Sequence, residues 1–430
     1  MNKVKIGLMG MGTVGTGVYR LIEGHQDDLV KQTGMEIGIG RILVQNREKK
    51  RTIDIDQDLL TEDPYTVLQD PDVDVIVEVM GGVDQTREYV LAALEQGKHV
   101  VTANKDLMAV HGGELLETAA KHGCDLFYEA SVAGGIPILR ALVEGFSSDR
   151  ITKMMGIVNG TSNYMLTKMS QEDESYESAL KEAQDLGYAE ANPISDVGGL
   201  DAARKMSILS TLGFHVGMNL DEVECKGMED VTLNDIKYAQ DLGYVIKLIG
   251  IAKQDDERIE VSVEPAMIKD SHPLASVNGV FNAVYVYGEA VGETMFYGPG
   301  AGELPTANAI VSDLVTVVKN MKLGVSGRGM VAPYREKKLK TDDEIFAKYF
   351  LRLVVDDQSG VLAQITKRLA AYEVSIEQVI QKPHELEHKA ELIIVTHQSS
   401  KSSIHKVLKE FDGLEHIDTI KSYYRVETNE

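Results

Sequence analysis

A glycine-rich turn near the beginning of the chain constrains its fold more strongly than any other segment. Residues 3–9, KVKIGLM, have the pattern of a buried strand, and the next residues, GMGTVG, contain Gly10, Gly12 and Gly15. A stretch with helical periodicity and a second strand, MEIGIGRILVQN, follow. A lone G-x-G-x-x-G sequence is often an ordinary turn. In this context it predicts a dinucleotide site, because glycines let the backbone approach a pyrophosphate at a helix N-terminus.

The alternation of strands and helices continues to about Pro137. The strands VDVIVEVMGG and KHVVTANKD are each followed by a helical stretch, and CDLFYEASVAGGIP supplies another strand and a glycine-rich turn. This order predicts an α/β fold with a Rossmann-type doubly wound parallel sheet, which binds ligands at the carboxyl ends of its strands. Lys105 follows the strand HVVTAN and is expected at this edge. It is either a surface lysine or a group that holds a carboxylate or transfers a proton.

The residues after the second strand bear on the choice of dinucleotide. Folds that prefer NAD usually place an acidic residue there for the ribose 2′-hydroxyl. This chain instead has VQNREKKR, in which Arg47, Lys49, Lys50 and Arg51 are basic. Basic side chains can pair with a 2′-phosphate, so the pattern favours NADP with Arg47 as a candidate contact. A solvated basic loop is the alternative, and Glu48 leaves NAD possible.

Beyond Pro137 the strands YVIKLIGIAKQ, RIEVSVEPAMI and NAVYVYGEAVGETMFYG dominate the pattern. They predict a second, α+β domain with an antiparallel sheet. Residues 326–347 have the composition of a linker. The tail then reads strand, helix, strand, strand, helix, strand, which is the ferredoxin-like arrangement.

The segment GYAEANPISDVGGLDAARK leads into a helix of the second domain. Asp201 and Lys205 are four residues apart and therefore share one helix face. Lys205 lies near the middle of the apolar stripe of this helix, whereas Arg204, Ser207, Ser210 and Thr211 are predicted to face water. An isolated D-x-x-x-K pair is usually a structural ion pair. A lysine on a buried face is costly unless it has a partner or a function.

The composition of the chain argues against several classes of protein. The chain of 430 residues has a net charge of −23, which argues against a nucleic-acid groove or an anionic membrane surface as partner. Cys124 and Cys225 form neither a metal pattern nor a disulfide framework. We see no signal peptide and no apolar run long enough to span a bilayer, so we expect a cytoplasmic protein.

The segment from His384 to His388 matches the zinc-protease pattern H-E-x-x-H. It follows Pro383 and lies between two predicted strands of the tail, where only a turn or short hairpin fits. Zinc catalysis is therefore not expected.

Six segments resemble signature sequences of the homoserine dehydrogenase family, in that family's order: GLMGMGTVG, VVTANKD, EASVAGGIPI, GIVNGTSNYML, GYAEANPISDVGGLDAARK and YGPGAGELPTA. The tail, with DQSGVLAQIT after its first strand, is similar to an ACT domain. The resemblance implies reversible NAD(P)H-dependent reduction of L-aspartate 4-semialdehyde to L-homoserine, a step toward threonine and methionine. It implies a dinucleotide-binding domain (1–136), a catalytic and dimerisation domain (137–325) whose last helix can pack back on the first domain, a linker (326–347) and an ACT regulatory domain (348–430).

The resemblance also implies roles for individual residues. Lys205 resembles the family's acid/base lysine, and Lys105 resembles its second lysine at the cofactor and substrate cleft; which of them delivers the proton stays open. Asp201 and Glu190 would contact the substrate. Apart from the resemblance, the place of Glu190 and Asp196 in the loop before the helix suits a substrate ammonium, and the alternative is that both are ordinary loop acids. The implied cofactor contacts are Gly10, Gly12, Thr13, Val14 and Gly15 at the pyrophosphate, with Lys105, Gly187 and Gly302 toward the nicotinamide. A monovalent cation, sodium, would be held largely by main-chain carbonyls of Glu129, Val132, Gly134 and Ile136.

For the tail, the resemblance implies amino-acid sensing with threonine as effector, near the turn Asp357–Ser359 and the helix that begins at Gly360. It also implies paired tails in a homo-oligomer, a dimer or a tetramer. The alternative is a tail that only assists assembly.

Two other functions compete with this reading. One is a dinucleotide-binding sensor without catalysis, which would be expected to lack Lys205 or Asp201, and both are present. The other is a sugar dehydrogenase of the glucose–fructose oxidoreductase type, whose sequence motif ALxxGKHVxxEKP partly matches LAALEQGKHVVTANK. The sequence Ala103-Asn104-Lys105 replaces EKP and lacks its proline, which counts against that family.

Overall fold

A computed structural model describes residues 3–256, 258–327 and 333–428, so residues 328–332 of the predicted linker lie outside the described residues. The chain forms two compact units. Unit 1 comprises Met1–Val158, Ala203–Val223 and Phe281–Lys337, and unit 2 comprises Asn159–Ala202, Glu224–Val280 and Lys338–Glu430.

In chain order the strands are β1 (Lys3–Met9), β2 (Glu36–Leu43), β3 (Leu60–Thr61), β4 (Val75–Glu78), β5 (His99–Thr102), β6 (Leu126–Phe127), β7 (Ile151–Ile157), β8 (Glu224–Cys225), β9 (Tyr244–Asp255), β10 (Arg258–Lys269), β11 (Phe281–Gly288), β12 (Gly292–Pro299), β13 (Lys338–Leu339), β14 (Phe346–Asp356), β15 (Ile376–Pro383), β16 (Lys389–Thr396), β17 (Ser399–Ser400) and β18 (Ile417–Glu427). The helices are α1 (Thr13–Gly24), α2 (Gln26–Thr33), α3 (Pro64–Leu68), α4 (Asp84–Glu95), α5 (Lys105–Lys121), α6 (Ile138–Arg140), α7 (Gly160–Gln171), α8 (Tyr176–Asp185), α9 (Ile194–Val197), α10 (Leu200–Phe214), α11 (Leu233–Asp241), α12 (Glu303–Leu323), α13 (Val361–Ala371) and α14 (Lys401–Phe411).

The first sheet of unit 1 has the strand order β3-β2-β1-β4-β5-β6, and all neighbours are parallel. The predicted Rossmann-type doubly wound sheet is confirmed. Its central strands are apolar on both faces because helices cover both sides, and Leu8, Val77 and Val101 are completely buried. The strand order reverses at β1, so the carboxyl ends of β1 and β4 border the crevice where such sheets bind ligands.

Helix α12, the last helix before the predicted linker, packs on this sheet and on α1. Ile310 and Leu314 of α12 share one hydrophobic core with Val18 and Ile22 of α1. Gly17 permits this close approach, because a Cβ atom on it would lie 2.6 Å from the carbonyl oxygen of Glu303.

A second sheet region in unit 1 consists of β12, β11 and β7, which are antiparallel. In unit 2 the strands follow the order β9-β10-β18-β14-β16-β15. The tail has the predicted order β14, α13, β15, β16, α14 and β18, with the short β17 added, so the ferredoxin-like arrangement is confirmed. Its last strand pairs in parallel with β10, through Ala266–Ile268 and Arg425–Glu427. The domain boundaries assigned from sequence stay a prediction.

The H-E-x-x-H segment lies in the turn between β15 and β16, where the His384 amide donates to the Lys389 carbonyl at 3.1 Å. This geometry agrees with the predicted hairpin and not with a metal-binding helix. Among the described residues, no group of three or more His, Cys, Asp or Glu side chains is placed to hold a metal ion. No helix in the described part of the chain has the length and hydropathy needed to cross a bilayer.

The prediction that one side of α10 faces solvent is wrong. Ser207 and Ser210 have relative exposures of 1% and 0%, and Arg204 and Thr211 are half-buried. Small hydroxyl side chains can be enclosed when they bond to nearby backbone, as Ser207 does by donating to the Arg204 carbonyl at 2.8 Å. Periodicity of polar residues therefore did not indicate exposure in this helix.

Candidate active site

The glycine turn after β1 is tightly packed on one side and open on the other. Gly10 has φ +109°, and a Cβ atom there would lie 2.7 Å from the Val79 carbonyl oxygen. A Cβ on Gly15 would collide with the carbonyl oxygen of Gly10, whereas one on Gly12 would meet nothing within 4 Å. Gly12 is also the N-cap of α1, so the open side faces the free N–H groups of that helix. These residues fit the pyrophosphate of a dinucleotide.

Thr13 is exposed and Val14 is half-buried in the first turn of α1, which contains no acidic residue. A negatively charged ligand therefore meets no carboxylate from this turn.

The basic loop after β2 is shaped by its own hydrogen bonds. The Arg47 amide donates to Glu62 Oε1 at 2.8 Å, and its guanidinium donates to the Gln57 carbonyl at 2.9 Å. Arg51 donates to the Asn46 carbonyl at 2.8 Å. The guanidinium of Arg47 thus has a protein partner in the described structure, which any bound 2′-phosphate would share or replace.

Glu78, at the end of β4, is a buried carboxylate that was not predicted from the sequence. It is completely enclosed and accepts hydrogen bonds from the Met80 amide at 2.8 Å, the Gly81 amide at 3.2 Å and the Thr102 hydroxyl at 2.5 Å. Burial raises its pKa, and these hydrogen bonds oppose that effect. Glu78 therefore fixes the loop after β4 against the end of β5. The signal was an acidic residue at the end of the apolar strand VIVE.

Lys105 is the first residue of α5, and its position follows from the preceding cap. The Asn104 side chain accepts from the Leu107 amide at 3.0 Å and donates to the Gly82 carbonyl at 2.7 Å. The Lys105 ammonium lies 3.9 Å from Asp106 Oδ2, and a third of its side chain is exposed. Lys105 therefore lies at the predicted edge of the parallel sheet.

The ion pair between Asp106 and Arg204, at 2.6 Å, joins the first turn of α5 to α10 within unit 1. Each partner is adjacent in sequence to one of the two candidate lysines. The Lys205 ammonium donates to the Val158 carbonyl at 2.6 Å, at the end of β7. This contact orients Lys205 with a neutral acceptor.

In unit 2, two of the predicted substrate carboxylates share one donor. The Nδ2 of Asn159 donates to Asp196 Oδ1 at 2.7 Å and to Asp201 Oδ2 at 2.9 Å. Asp196 lies on α9, and Asp201, which is 7% exposed, lies in the first turn of α10. No sequence pattern indicated a role for Asn159, because only the fold brings it between these acids.

The loop that carries Gly187 and Glu190 is anchored to α7. Gly187 has φ +76°, which favours glycine, and the Thr161 hydroxyl donates to the Tyr188 carbonyl at 2.6 Å. Glu190 is exposed, and its main-chain carbonyl accepts from the Gln184 side chain at 3.1 Å. Its carboxylate is therefore presented on the surface of unit 2.

The side chain of Glu129, in the predicted cation turn, already has partners in the protein. It is 5% exposed and accepts from the Leu139 amide at 2.7 Å and the Arg140 amide at 2.8 Å. Burial raises its pKa, and these amides oppose that effect. The carbonyls of the turn, and not this carboxylate, are the groups left to the predicted cation site.

The shape of the cation turn depends on its neighbours. Ala133 and Gly134 have φ of 54° and 32°. A Cβ on Gly134 would lie 2.6 Å from the carbonyl oxygen of Gly300, two residues before Gly302, which has φ +121° and is the N-cap of α12. The turn with Val132, Gly134 and Ile136 and the start of α12 are thus packed together in unit 1.

Family models match three parts of the chain: "Homoserine dehydrogenase, NAD binding domain" at residues 10–129, "Homoserine dehydrogenase" at residues 137–315 and "ACT domain" at residues 349–416. The chain is 55% identical to the homoserine dehydrogenase of Bacillus subtilis (strain 168) over 430 residues, which covers 100% of this chain and 99% of the relative.

Solved structures agree with these matches. A homoserine dehydrogenase from Thiobacillus denitrificans aligns with a TM-score of 0.92 and 36% identity, covering 99% of this chain and 98% of the other. A hyperthermophilic archaeal homoserine dehydrogenase in complex with NADPH aligns with a TM-score of 0.62 and 26% identity, covering 73% of this chain and 97% of the other.

Proposed function

The chain belongs to the homoserine dehydrogenase family, oxidoreductases that act on a CH–OH group, and from this we propose that it reversibly reduces L-aspartate 4-semialdehyde to L-homoserine with NAD(P)H. The observation that carries the proposal is the placement of Lys205, whose ammonium donates to the Val158 carbonyl at 2.6 Å within unit 1. Membership of this family decides against the sugar dehydrogenase alternative.

The dinucleotide would be held at its pyrophosphate by the turn and first helical residues Gly10, Gly12, Thr13, Val14 and Gly15, with Lys105, Gly187 and Gly302 toward the nicotinamide. When bound, the nicotinamide supplies or accepts the hydride. We propose NADP as the preferred form, because Arg47 and its basic neighbours follow β2 and because the archaeal relative is described with NADPH. In this proposal the enzyme also uses NAD.

Residues of the chain would transfer the proton and bind the substrate. We propose that Lys205 gives a proton to the carbonyl oxygen during reduction and takes it back from the hydroxyl during oxidation. Asp201 and Glu190 contact the substrate, and Asp196 holds its ammonium. Lys105 contributes at the cofactor and substrate cleft, and it is the second candidate for proton delivery.

A monovalent cation, sodium, is proposed at the turn of Glu129, Val132, Gly134 and Ile136. The support is chemical: the Glu129 carboxylate is engaged by backbone amides, so the oxygens that remain are main-chain carbonyls, which suit a hard cation of low charge. Its role would be to keep this turn in place beside the start of α12.

For the whole protein we propose cytoplasmic localisation, a homo-oligomer that is a dimer or tetramer, and threonine as the effector of the ACT tail. The pathway step toward threonine and methionine follows from the proposed reaction. The domain division remains the proposed one, with a dinucleotide-binding domain at 1–136, a catalytic and dimerisation domain at 137–325, a linker at 326–347 and the tail at 348–430.

The test is an assay of the purified protein with L-homoserine and either NADP⁺ or NAD⁺, with and without threonine. We expect the absorbance of reduced nicotinamide to rise, faster with NADP⁺. Lys205→Ala should lower kcat by roughly 10²–10⁴-fold while leaving NADP⁺ affinity near that of the wild type. Lys181→Ala, which changes an exposed lysine on α8, is the matched control. No rise with either cofactor refutes the activity, and full turnover by Lys205→Ala refutes the proton-transfer role.

A further inference from the structure

Asn159 joins two predicted substrate ligands through one nitrogen atom. Its side chain is nearly enclosed, with 5% relative exposure, and its amide donates at 2.7 Å to Asp196 and at 2.9 Å to Asp201. We propose that Asn159 is a positioning residue that holds these two carboxylates at a fixed spacing and so sets the preference for substrates that carry an ammonium group. This inference rests on the proposed function, in which Asp196 and Asp201 bind the substrate.

The chemistry of the amide suits this position. Asparagine has two N–H bonds on one nitrogen and one carbonyl oxygen. The oxygen accepts from the Ser162 amide at 2.8 Å, as the N-cap of α7, and this contact fixes which end of the amide faces the two acids. Serine or aspartate can cap the helix in the same way, but neither supplies two donors. The requirement for asparagine therefore comes from the carboxylates and not from the helix.

Electrostatics explains what the shared donor achieves. Two carboxylates that accept from one nitrogen atom lie close together and repel each other. A neutral donor that bonds to both reduces this repulsion without adding a competing positive charge. An ammonium group of the substrate then meets two negative groups that are already in place, so little reorganisation is needed on binding.

The helix that carries this cap is held firmly by other parts of unit 2. Met165, Leu166 and Met169 of α7 are at most 1% exposed. The buried ammonium of Lys247 donates to Asn163 Oδ1 at 3.1 Å and to the Val277 carbonyl at 2.7 Å, which ties the first turn of α7 to the loop before β11. The position of Asn159 is therefore set by packing that does not depend on substrate.

The experiment compares Asn159→Ser with Asn159→Ala in the full-length enzyme. Serine keeps the cap and removes the bridge, whereas alanine removes both. We expect Asn159→Ser to melt close to the wild type and to raise KM for L-homoserine roughly tenfold or more, with KM for NADP⁺ unchanged. Asn219→Ser, at the N-cap of the turn Leu220–Glu222 in unit 1, is the matched control.

A second substrate distinguishes a role of Asn159 in substrate binding from a purely structural role. 4-Hydroxybutyrate lacks the ammonium of homoserine, and its kcat/KM should suffer much less from Asn159→Ser, so that the preference for homoserine narrows roughly tenfold. Asn159→Asp retains size and cap, replaces the donors by an acceptor, and should lose more homoserine affinity than serine. It also serves as the second variant if Asn159→Ser is poorly folded.

The outcomes separate the two proposals. A wild-type enzyme that does not oxidise homoserine refutes the proposed function itself. An active wild type, together with serine and aspartate variants that keep its KM and substrate preference, overturns the role of Asn159. Equal losses of melting temperature and kcat in the serine and alanine variants, with no change in KM, would make Asn159 a helix cap only and also overturn it.

Discussion

Lys247, on β9, is a buried lysine whose described side-chain partners are all neutral. It is 3% exposed and donates to Asn163 Oδ1, the Val277 carbonyl and Asn278 Oδ1, at 3.1, 2.7 and 3.0 Å. Burial lowers its pKa from 10.5 to about 8. Between these two pH values the unfolded chain binds one proton more than the folded chain at this site. The contribution of Lys247 to stability therefore rises as the pH increases from about 8 to about 10.5.

We predict that replacing Lys247 removes this pH dependence. Denaturant unfolding of the wild type and of Lys247→Met at pH 7.5 and 9.5 should show that the wild type gains about 1–3 kcal/mol relative to the variant at the higher pH. Lys269→Met, which changes an exposed lysine on β10, is the control. An identical pH dependence in wild type and Lys247→Met would mean that the lysine stays charged throughout this range.

At the scale of residues, the groups that the sequence indicated were those inside recognisable segments. Lys105, Lys205 and Asp201 each stand in a segment whose spacing or resemblance points to chemistry. Asn159 also lies in such a segment, GIVNGTSNYML, but no spacing pattern points to its side chain, and Glu78 lies outside all six segments. The importance of both arises from contacts with residues far away in the chain. A single polar residue in an apolar strand is a weak signal until the fold shows what it bonds.

At the scale of elements, α10 shows where periodicity fails. Ser210 is completely enclosed in this helix, and its hydroxyl has no hydrogen-bond partner among the described residues. Ser207 is enclosed as well, but its hydroxyl donates to the Arg204 carbonyl. Both were expected to face water, because hydrophobic periodicity cannot distinguish a solvated hydroxyl from a buried one that is tolerated or bonded to its own helix.

The two serines form a matched pair for a stability test. Ser210→Ala should raise the free energy of unfolding by about 1 kcal/mol, because it removes an unsatisfied buried hydroxyl and introduces a better helix former. Ser207→Ala gains the same propensity but loses a hydrogen bond, so we expect a change within about 0.5 kcal/mol. Thermal melts of both variants, compared with the wild type, measure these changes in stability. A fall in stability for Ser210→Ala would show that its hydroxyl has a partner, such as a bound water.

The contact between α1 and α12 depends on a glycine that is separate from the nucleotide turn. At Gly17 a Cβ would lie 2.6 Å from the Glu303 carbonyl oxygen, whereas at Gly24, the last residue of α1, it would meet nothing within 4 Å. Gly17→Ala should therefore destabilise the protein by about 1–3 kcal/mol through overpacking. Gly24→Ala should stabilise it by up to about 1 kcal/mol, because alanine restricts the unfolded chain. Equal melting temperatures for the two variants would contradict this account of the packing.

At the scale of the whole molecule, the order of elements could be predicted and some of their connections could not. The alternation of strands and helices indicated the parallel sheet, and the tail showed its ferredoxin-like order. No sequence pattern predicts that the tail's last strand pairs with β10. It is accompanied by buried ion pairs of Arg425, which is 4% exposed and donates to Glu260 at 2.9 Å and to Glu427 at 2.6 Å.

A second buried ionic cluster fastens the tail to α11 within unit 2. Arg352 on β14 donates to Asp235 at 3.1 Å and to Glu391 at 2.6 Å, and it is 5% exposed. Asp235 also accepts from the hydroxyls of Ser422 at 2.6 Å and Tyr424 at 3.0 Å. If Arg352 is removed, two carboxylates lose their buried cation while remaining enclosed. Such a change is far more costly than loss of a surface ion pair.

We therefore predict that Arg352→Met lowers the free energy of unfolding by about 3–5 kcal/mol. Arg368→Met, which removes a half-exposed arginine 3.5 Å from Glu410 on the surface of the tail, should lower it by less than about 1 kcal/mol. Denaturant unfolding measures both. Arg352→Met combined with Glu391→Met and Asp235→Leu should recover part of the loss, because no unpaired charge then remains buried. If Arg352→Met costs no more than Arg368→Met, the cluster is hydrated in solution and does not fasten the tail to α11.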